Sequence, residues 1–216
     1  MSDECAQGYA SDLEPEELDF QRLYGPWAAF DPAEAMEFFN RTGITWWVAG
    51  GWAIQAFTGV GREHEDIDVC IFRRDLPLLR QAVGDAWHLW SAGAGMLRPV
   101  SEQFPEPHEE SDQVWLRRHA LAPWRADVPL NPDRAGDWVS RRDPDFSAPL
   151  EEVTFAMDGV RYLKPEIVLA FKAKLARPKD EQDFAVAAPM LDDRARGWLA
   201  DYLRRVEPGH PWSQRL

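Results

Sequence analysis

The pattern of apolar and polar positions changes along the chain near residue 164. Between residues 44 and 163, short apolar runs separated by Gly, Pro and acidic residues predict strands with short helices between them. From there on, apolar residues recur at helical spacing, which predicts three helices, from Pro165 to about Leu175, from about Asp180 to Ala188, and from Asp192 or Asp193 to about Val206. We therefore expect an α/β fold, a small mixed β-sheet flanked by helices, with a helical C-terminal part.

Local signals mark individual elements. Asp31-Pro32-Ala33-Glu34 predicts a helix start, because Asp suits the N-cap, Pro suits the first turn and Glu closes a capping box. Asp158-Gly159 lies between two apolar runs and predicts a two-residue hairpin turn, since both residue types tolerate positive φ. The polar stretch from Pro132 to Pro149 predicts an irregular crossing.

Composition predicts one sizeable core and three segments. The chain has 216 residues, of which 45% are hydrophobic, enough for a single core. We expect a mobile acidic N-terminus at 1–14, a main domain at 15–163 and a helical subdomain at 164–216. No apolar run is as long as a membrane span, and the start of the chain is acidic, so we expect a cytoplasmic protein without a membrane partner.

The net charge of −13 limits the classes of partner. Nucleic acid binds chiefly through Lys and Arg, so an acidic chain makes it an unfavourable partner. A cationic small molecule is a better match, although the charge also fits a purely solubilising role. Cys5 and Cys70 have no Cys or His at metal spacing, which is typical of free thiols in a reducing compartment. The oligomeric state is left open.

The main candidate site lies between residues 46 and 69. The apolar run Ile44 to Ala49 ends at Gly50-Gly51, a short helix follows, and Asp66-Ile67-Asp68 opens the next apolar run. In a strand, Asp66 and Asp68 point to the same face. Two carboxylates so close repel each other, and a hard cation such as Mg²⁺ would relieve that repulsion by binding both.

The glycine pair predicts a phosphate contact. Gly50 and Gly51 follow a strand and precede a helix, so the backbone there can approach a phosphate and offer the N–H groups of the helix start. An ordinary tight turn is the alternative, and the downstream Asp pair favours the phosphate contact. Arg62 and His64, just before the Asp pair, are predicted either to contact a triphosphate or to order the loop.

These motifs together resemble a known superfamily. A Gly-Gly turn followed by Asp66-Ile67-Asp68 between apolar residues resembles the nucleotidyltransferases related to DNA polymerase beta. Ala-Gly-Gly-Trp-Ala with Arg62-x-His64-x-Asp66-x-Asp68 is more narrowly similar to the aminoglycoside and lincosamide adenylyltransferases. With weaker similarity at Lys164-Pro165-Glu166 and Arg177-Pro178-Lys179-Asp180, the resemblance covers roughly residues 44 to 190.

The resemblance implies an activity. A Mg²⁺-dependent enzyme of this kind would transfer a nucleoside monophosphate, AMP from ATP or from another nucleoside triphosphate, to a hydroxyl of a small molecule such as an aminoglycoside, and release pyrophosphate. Two alternatives remain open: nucleotidylation of a protein or tRNA, and a catalytically silent binding protein of the same fold. The negative net charge disfavours tRNA as a substrate, and the intact pair of Asp66 and Asp68 disfavours a catalytically silent protein.

The resemblance also implies further site residues. The superfamily uses a third carboxylate on a later strand, and Asp127, flanked by apolar residues, is our candidate for metal ligand and general base. A salt bridge between Asp127 and Arg125 is the structural alternative, and the fallback carboxylates are Asp112, Asp133 and Asp137. A Lys near the start of the C-terminal helices approaches the nucleotide in that superfamily, which points to Lys164 and Lys172, although solvated helix charge is the simpler interpretation of either one.

Overall fold

A computed structural model of the protein describes residues 15–216. The acidic segment 1–14 that we expect to be mobile, and Cys5 within it, lie outside the described residues. The helices of the described part are α1 Pro15–Tyr24, α2 Pro32–Phe39, α3 Gly50–Thr58, α4 Leu76–Val83, α5 Leu150–Val153, α6 Pro165–Ala173, α7 Pro178–Ala187 and α8 Asp193–Val206. The strands are β1 Trp46–Val48, β2 Val69–Phe72, β3 His88–Gly93, β4 Met96–Pro99, β5 Gln113–Arg117, β6 Trp124–Asn131, β7 Asp133–Arg134, β8 Asp137–Val139, β9 Ser147–Ala148, β10 Thr154–Met157 and β11 Val160–Leu163.

Eight of these strands form one mixed sheet. Their order is β10-β11-β1-β2-β6-β5-β3-β4. The pairs β1–β11 and β2–β6 are parallel, and the other pairs are antiparallel. The prediction of a mixed sheet flanked by helices is confirmed, although the sheet is larger than expected. Its order brings β1, β2 and β6 together, which positions the candidate site.

The local signals form the elements they predict. Asp31 accepts a hydrogen bond from the N–H of Glu34, and the Glu34 side chain accepts one from the N–H of Asp31, so the capping box starts α2. Asp158 and Gly159 both have positive φ and join β10 to β11 as a hairpin. The three C-terminal helices are present, but α7 begins at Pro178, slightly earlier than the pattern predicts.

Two predictions of local structure are wrong. The segment from Pro132 to Pro149 is not irregular throughout, because β7, β8 and β9 form a second, three-stranded sheet within it. The two glycines are not a separate turn before a helix. Gly50 and Gly51 are the first two residues of α3, capped by the extended residue Ala49, and the positive φ of Gly50 takes the chain from β1 into the helix.

One apolar core runs through the sheet and the C-terminal helices. Alternation along the central strands sends Val48, Ile71 and Leu130 to one face and Trp47 and Cys70 to the other, and all five side chains are buried. Burial raises the pKa of the Cys70 thiol to about 12, so this cysteine stays protonated. Within residues 15–216, no helix is long and apolar enough to cross a membrane.

Candidate active site

Asp68 and Asp127 lie side by side on two neighbouring parallel segments of the sheet. They form a bridge just before β2 and within β6. The N–H of Ala49 donates to the carbonyl of Asp68 at 2.9 Å, and the N–H of Asp127 donates to the carbonyl of Ile67 at 3.0 Å. These bonds fix both backbones, so both carboxylates stand on one face of the sheet.

The carboxylates of Asp68 and Asp127 are more buried than that of Asp66. Asp66 is exposed, Asp68 is half-buried and Asp127 is 9% exposed. Ile67, which lies between Asp66 and Asp68 in the chain, is fully buried. Among residues 15–216, no group of three or more Asp, Glu, His or Cys side chains is arranged to hold a metal ion. The structure therefore brings Asp68 and Asp127 together and leaves Asp66 at the exposed rim.

The electrostatics of this pair favour protons when no cation is bound. Burial, and then the charge of Asp66, raise the pKa of Asp68 to about 6. Burial, and then the charges of Asp68 and Asp66, raise the pKa of Asp127 well above its usual range. Oδ1 of Asp127 is buried and has no hydrogen-bond partner among the described residues. An unsatisfied buried carboxylate oxygen of this kind is suited to receive a proton or a cation.

The two glycines at the start of α3 lie close to Asp68 and to Arg62. A Cβ on Gly50 would lie 1.9 Å from Oδ2 of Asp68, and a Cβ on Gly51 would lie 2.0 Å from Nη2 of Arg62. Both positions thus require glycine for close approach, and at Gly50 positive φ adds to the requirement. The structure brings Gly50 close to Asp68 and Gly51 close to Arg62.

Arg62 is held from the other side by α7. Its Nε and Nη2 donate to the two oxygens of Asp183 at 2.9 and 3.1 Å. Nζ of Lys172 lies 2.9 Å from both Asp180 and Asp183. The charges of Arg62 and Lys172 depress the pKa of Asp183 despite its burial, so this carboxylate stays ionised. Sequence reasoning missed Asp180 and Asp183, which we call the α7 acid pair, although Asp180 lies within the motif of weak similarity.

His64 stacks on Trp52 beside the glycines. The ring centres are 4.0 Å apart, and His64 Nε2 lies 2.8 Å from Oε1 of Gln55. Burial, and then the charge of Arg62, lower the pKa of His64 to about 4, so the imidazole is neutral near pH 7. The indole N–H of Trp52 donates to the carbonyl of Asp66 at 3.2 Å. This stack orders the loop that carries the acids.

The two predicted lysines occupy different places. Lys172 lies near the end of α6 in the ion cluster described above. Its positive charge partly offsets the rise in the pKa of Asp68. Lys164 precedes α6 and lines a separate cavity of about 520 Å³ together with Phe57, Phe155, Glu166 and Trp198. Eight residues of helix separate the two lysines by about 12 Å.

Two of the three fallback carboxylates form ion pairs with arginines. Asp112 pairs with Arg73 at 2.6 Å, and Asp133 pairs with Arg74. Asp127 forms no salt bridge with Arg125, which pairs with Glu34 instead. The positive charge of Arg141, after β8, partly offsets the rise in the pKa of both Asp68 and Asp127. Sequence reasoning missed Arg141, because only the unpredicted small sheet brings it to the site.

Comparison with known proteins gives a family match and similar structures. The family model described as aminoglycoside-2''-adenylyltransferase matches residues 33–86. A crystal structure of ANT(2'')-Ia in complex with adenylyl-2''-tobramycin has 16% identity and a TM-score of 0.52, and it covers 79% of this chain and 93% of that one. A solution structure of antibiotic-resistance factor ANT(2'')-Ia has 15% identity and a TM-score of 0.50, with 81% and 93% covered.

A lincomycin-bound structure of the lincosamide antibiotic adenylyltransferase LnuA matches with 14% identity and a TM-score of 0.42, covering 90% of this chain and 98% of that one. No curated protein matches the chain by sequence. The resemblance to the nucleotidyltransferases is confirmed by the family match and by the fold of ANT(2'')-Ia. The matched segment includes the glycines, Arg62, His64, Asp66 and Asp68, but not Asp127.

Proposed function

We propose that this protein transfers a nucleoside monophosphate, AMP from ATP, to a hydroxyl of a small molecule and releases pyrophosphate. The observation that carries the proposal is the contact between Gly50, at the start of α3, and the Asp68 carboxylate, itself beside Asp127. A phosphate-binding backbone and a pair of acids at one point are what phosphoryl transfer to a hydroxyl requires.

The triphosphate would lie at the start of α3. Gly50 and Gly51 let the backbone lie close to Asp68 and Arg62, and the free N–H groups of the first helical turn would bind phosphate oxygens. Arg62, held by Asp183, would supply a fixed positive charge, and Lys172 would add positive potential behind it. His64 is neutral and would order the loop. A nucleotide contact by Lys164 stays a prediction.

The carboxylates fit Mg²⁺. Magnesium is bound in many enzymes by one or two carboxylates together with substrate phosphates, so Asp68 and Asp127 would hold it with phosphate oxygens, and Asp66 would join from the rim. The unpartnered Oδ1 of Asp127 and the raised pKa of Asp68 both fit the binding of a cation at this point. When bound, Mg²⁺ would neutralise charge on the triphosphate and lower the pKa of the acceptor hydroxyl.

Asp127 is the proposed general base. The oxygen of its carboxylate that does not hold the cation would take the proton of the acceptor hydroxyl while the hydroxyl oxygen bonds to the α-phosphorus and the bond to pyrophosphate breaks. We expect Asp127→Asn to keep much of the ATP affinity but lose most of its turnover. A pH–rate profile would test the role, because a retained rate with an unchanged acidic limb would move the base elsewhere.

For the acceptor we propose a cationic small molecule of the aminoglycoside type. The support is the net charge of −13 and the family model matching residues 33–86. Pyrophosphate release, measured with ATP and Mg²⁺ across aminoglycosides, lincosamides, tRNA and protein acceptors, tests the proposal. Asp66→Asn and Asp68→Asn should abolish release, and Asp201→Asn, in an exposed surface pair, should not. Pyrophosphate release with tRNA or protein alone would favour nucleotidylation of a macromolecule. No release with any acceptor would favour a catalytically silent binding protein.

A further inference from the structure

The end of β5 carries a buried arginine without a hydrogen-bond partner. Arg117 is 8% exposed, and its Nε is buried and unpartnered. In the part of the chain that the structure describes, its guanidinium forms no ion pair or hydrogen bond. It lies 4.3 Å from the ring centre of Trp90 and 4.1 Å from that of Trp124. Aromatic faces attract a cation but offer no lone pairs to its N–H groups.

Two indole groups beside Arg117 are also unsatisfied. Nε1 of Trp90 and Nε1 of Trp115 are buried and have no hydrogen-bond partner among the described residues. Trp90 pairs with Trp115 across β3 and β5, so the two side chains stand on the same face of the sheet. All the unsatisfied groups of these three residues are donors. Trp115 lies opposite the Asp127 carboxylate across β5 and β6 and acts to lower the pKa of that acid, so the lack of an acceptor concerns Arg117 and Trp90.

Two other partly buried cations have carboxylate partners. Arg62 and Lys172 have carboxylates within 3 Å. A hydrogen bond from Arg177 to Asp180 raises the pKa of Arg177, whereas burial alone lowers the pKa of Arg117. The chain contains 37 acidic residues, and within residues 15–216 none of them pairs with Arg117. Buried donors without acceptors are costly unless something else pairs with them.

We propose that Trp90, Trp115 and Arg117 form a binding site for an oxyanion, a carboxylate or a phosphate, carried on an apolar body. The planar guanidinium matches the two oxygens of a carboxylate or phosphate, and the indole N–H groups supply further donors. The indole faces suit an apolar body. The site requires neither nucleotide nor metal, so it can be tested apart from the proposed transfer.

The site lies on the face of the sheet that carries Asp127. Trp115 pairs directly with Asp127 across β5 and β6. At the usual strand spacing, Trp115 is about 5 Å and Trp90 about 10 Å from Asp127 across the sheet. A ligand held by its oxyanion at Arg117 would therefore extend along the same face as the candidate active site.

Indole N–H resonances give a direct test. The full chain labelled with ¹⁵N would be titrated with benzoate, phenyl phosphate, inorganic phosphate and the neutral isostere benzamide, and the two signals would be assigned with Trp90→Phe and Trp115→Phe. We expect a saturable shift of both signals with benzoate or phenyl phosphate, and binding of benzamide at least tenfold weaker. If benzoate binds more tightly than phenyl phosphate, the ligand anion is a carboxylate, and the reverse order identifies a phosphate ester. If inorganic phosphate binds as tightly as phenyl phosphate, the ligand is free phosphate.

Arg117→Met is the decisive variant, with Arg118→Met as its matched control, because Arg118 is exposed and lies over Trp87. Arg117→Met should weaken anion binding at least tenfold, and Arg118→Met should not change it. Without ligand, Arg117→Met should raise the Tm by about 2 °C or more, because it removes an uncompensated buried charge. Trp90→Phe, which removes one donor but keeps a ring, should weaken binding several-fold and serves if the methionine variant does not fold.

Three results would overturn the proposal. The first is the absence of a saturable indole shift with any of the anions. The second is equal affinity for benzamide and benzoate. The third is wild-type affinity in Arg117→Met or, if that variant does not fold, in Trp90→Phe. A lowered Tm with unchanged binding would show that Arg117 only joins Trp90 to Trp124 as a packing contact.

Discussion

At the scale of single residues, the site is defined by charges that are unfavourable without ligands. Asp68, Asp127 and Arg117 are each wholly or partly buried, and the described residues give none of them an ion pair. Such groups reduce stability and are typical of functional positions, where a ligand supplies the missing partner. The first two predictions concern residues at this site.

We expect Asp68→Asn to change how stability depends on pH. The fold raises the pKa of Asp68 from 3.8 to about 6, so between these values the folded chain holds a proton that the unfolded chain has lost. The free energy of unfolding therefore falls as pH rises through this window, by about 1–3 kcal/mol. The asparagine variant lacks this loss, so its stability relative to wild type should rise from pH 4 to pH 6.

Urea unfolding at several pH values in the presence of a chelator measures this difference. Adding Mg²⁺ should reduce the difference in free energy of unfolding between Asp68→Asn and wild type at pH 7, because cation binding stabilises the wild-type fold by mass action. Asp201→Asn, in an exposed pair, should follow the wild-type pH dependence. A gap that does not change with pH would show that Asp68 titrates normally.

We expect Gly51→Ala to weaken ATP binding about tenfold or more. The added Cβ would lie 2.0 Å from Nη2 of Arg62, and Arg62 cannot retreat freely because Asp183 holds two of its nitrogens. Calorimetric titration with ATP measures the effect. Gly197→Ala is the control, because a Cβ there meets nothing within 4 Å, and it should raise stability by up to about 1 kcal/mol without changing ATP affinity. Unchanged affinity in Gly51→Ala would make the glycine pair an ordinary helix start.

The sequence predicts those site residues that lie close together in the chain. Gly50, Gly51, Asp66 and Asp68 fall within one strand–helix–strand unit, so their spacing alone indicates their convergence. Asp127 is predicted from its apolar flanks, and β6 brings it beside Asp68. Arg141 and Asp183 are not predicted, because they reach the site only through contacts distant in the chain, such as the bond from Arg62 across 121 residues.

At the scale of elements, predictions succeed where an element carries its own signals. The capping box of α2, the Asp-Gly hairpin and the helical spacing of α6 and α8 all define elements that the structure contains. The small sheet β7-β8-β9 is missed because its strands have only two or three residues. Strands so short have no readable period and form only through pairing with each other.

Helix α7 acts as an anchor for the loop between α3 and β2. We expect Asp183→Asn to cost about 3 kcal/mol, because it leaves Arg62 without a charged partner and Lys172 with Asp180 alone, in a cluster where Asp183 is 4% exposed. Urea denaturation measures the loss. Asp201→Asn breaks an exposed pair on α8 and should cost less than about 0.5 kcal/mol. Equal costs for the two variants would contradict the anchoring role.

At the scale of the whole molecule, the net charge of −13 should attract a cationic acceptor. We expect the KM for such an acceptor to rise several-fold between about 50 and 300 mM KCl, because salt screens attraction beyond a Debye length of about 10 Å at 0.1 M. The KM for ATP, an anion, should change less or fall. An acceptor KM that does not depend on salt would mean that local contacts alone bind the acceptor.

The adjacency of Asp68 and Asp127 also has a consequence for how the protein reaches its working state. Strands β3, β4 and β5 lie between β2 and β6 in the chain, so this parallel pairing closes a long loop and should form late in folding. During refolding from urea, helical circular dichroism should therefore return before the capacity to bind nucleotide. A partly folded chain, with its helices formed but β6 not yet paired, would be inactive although its sequence motif is intact.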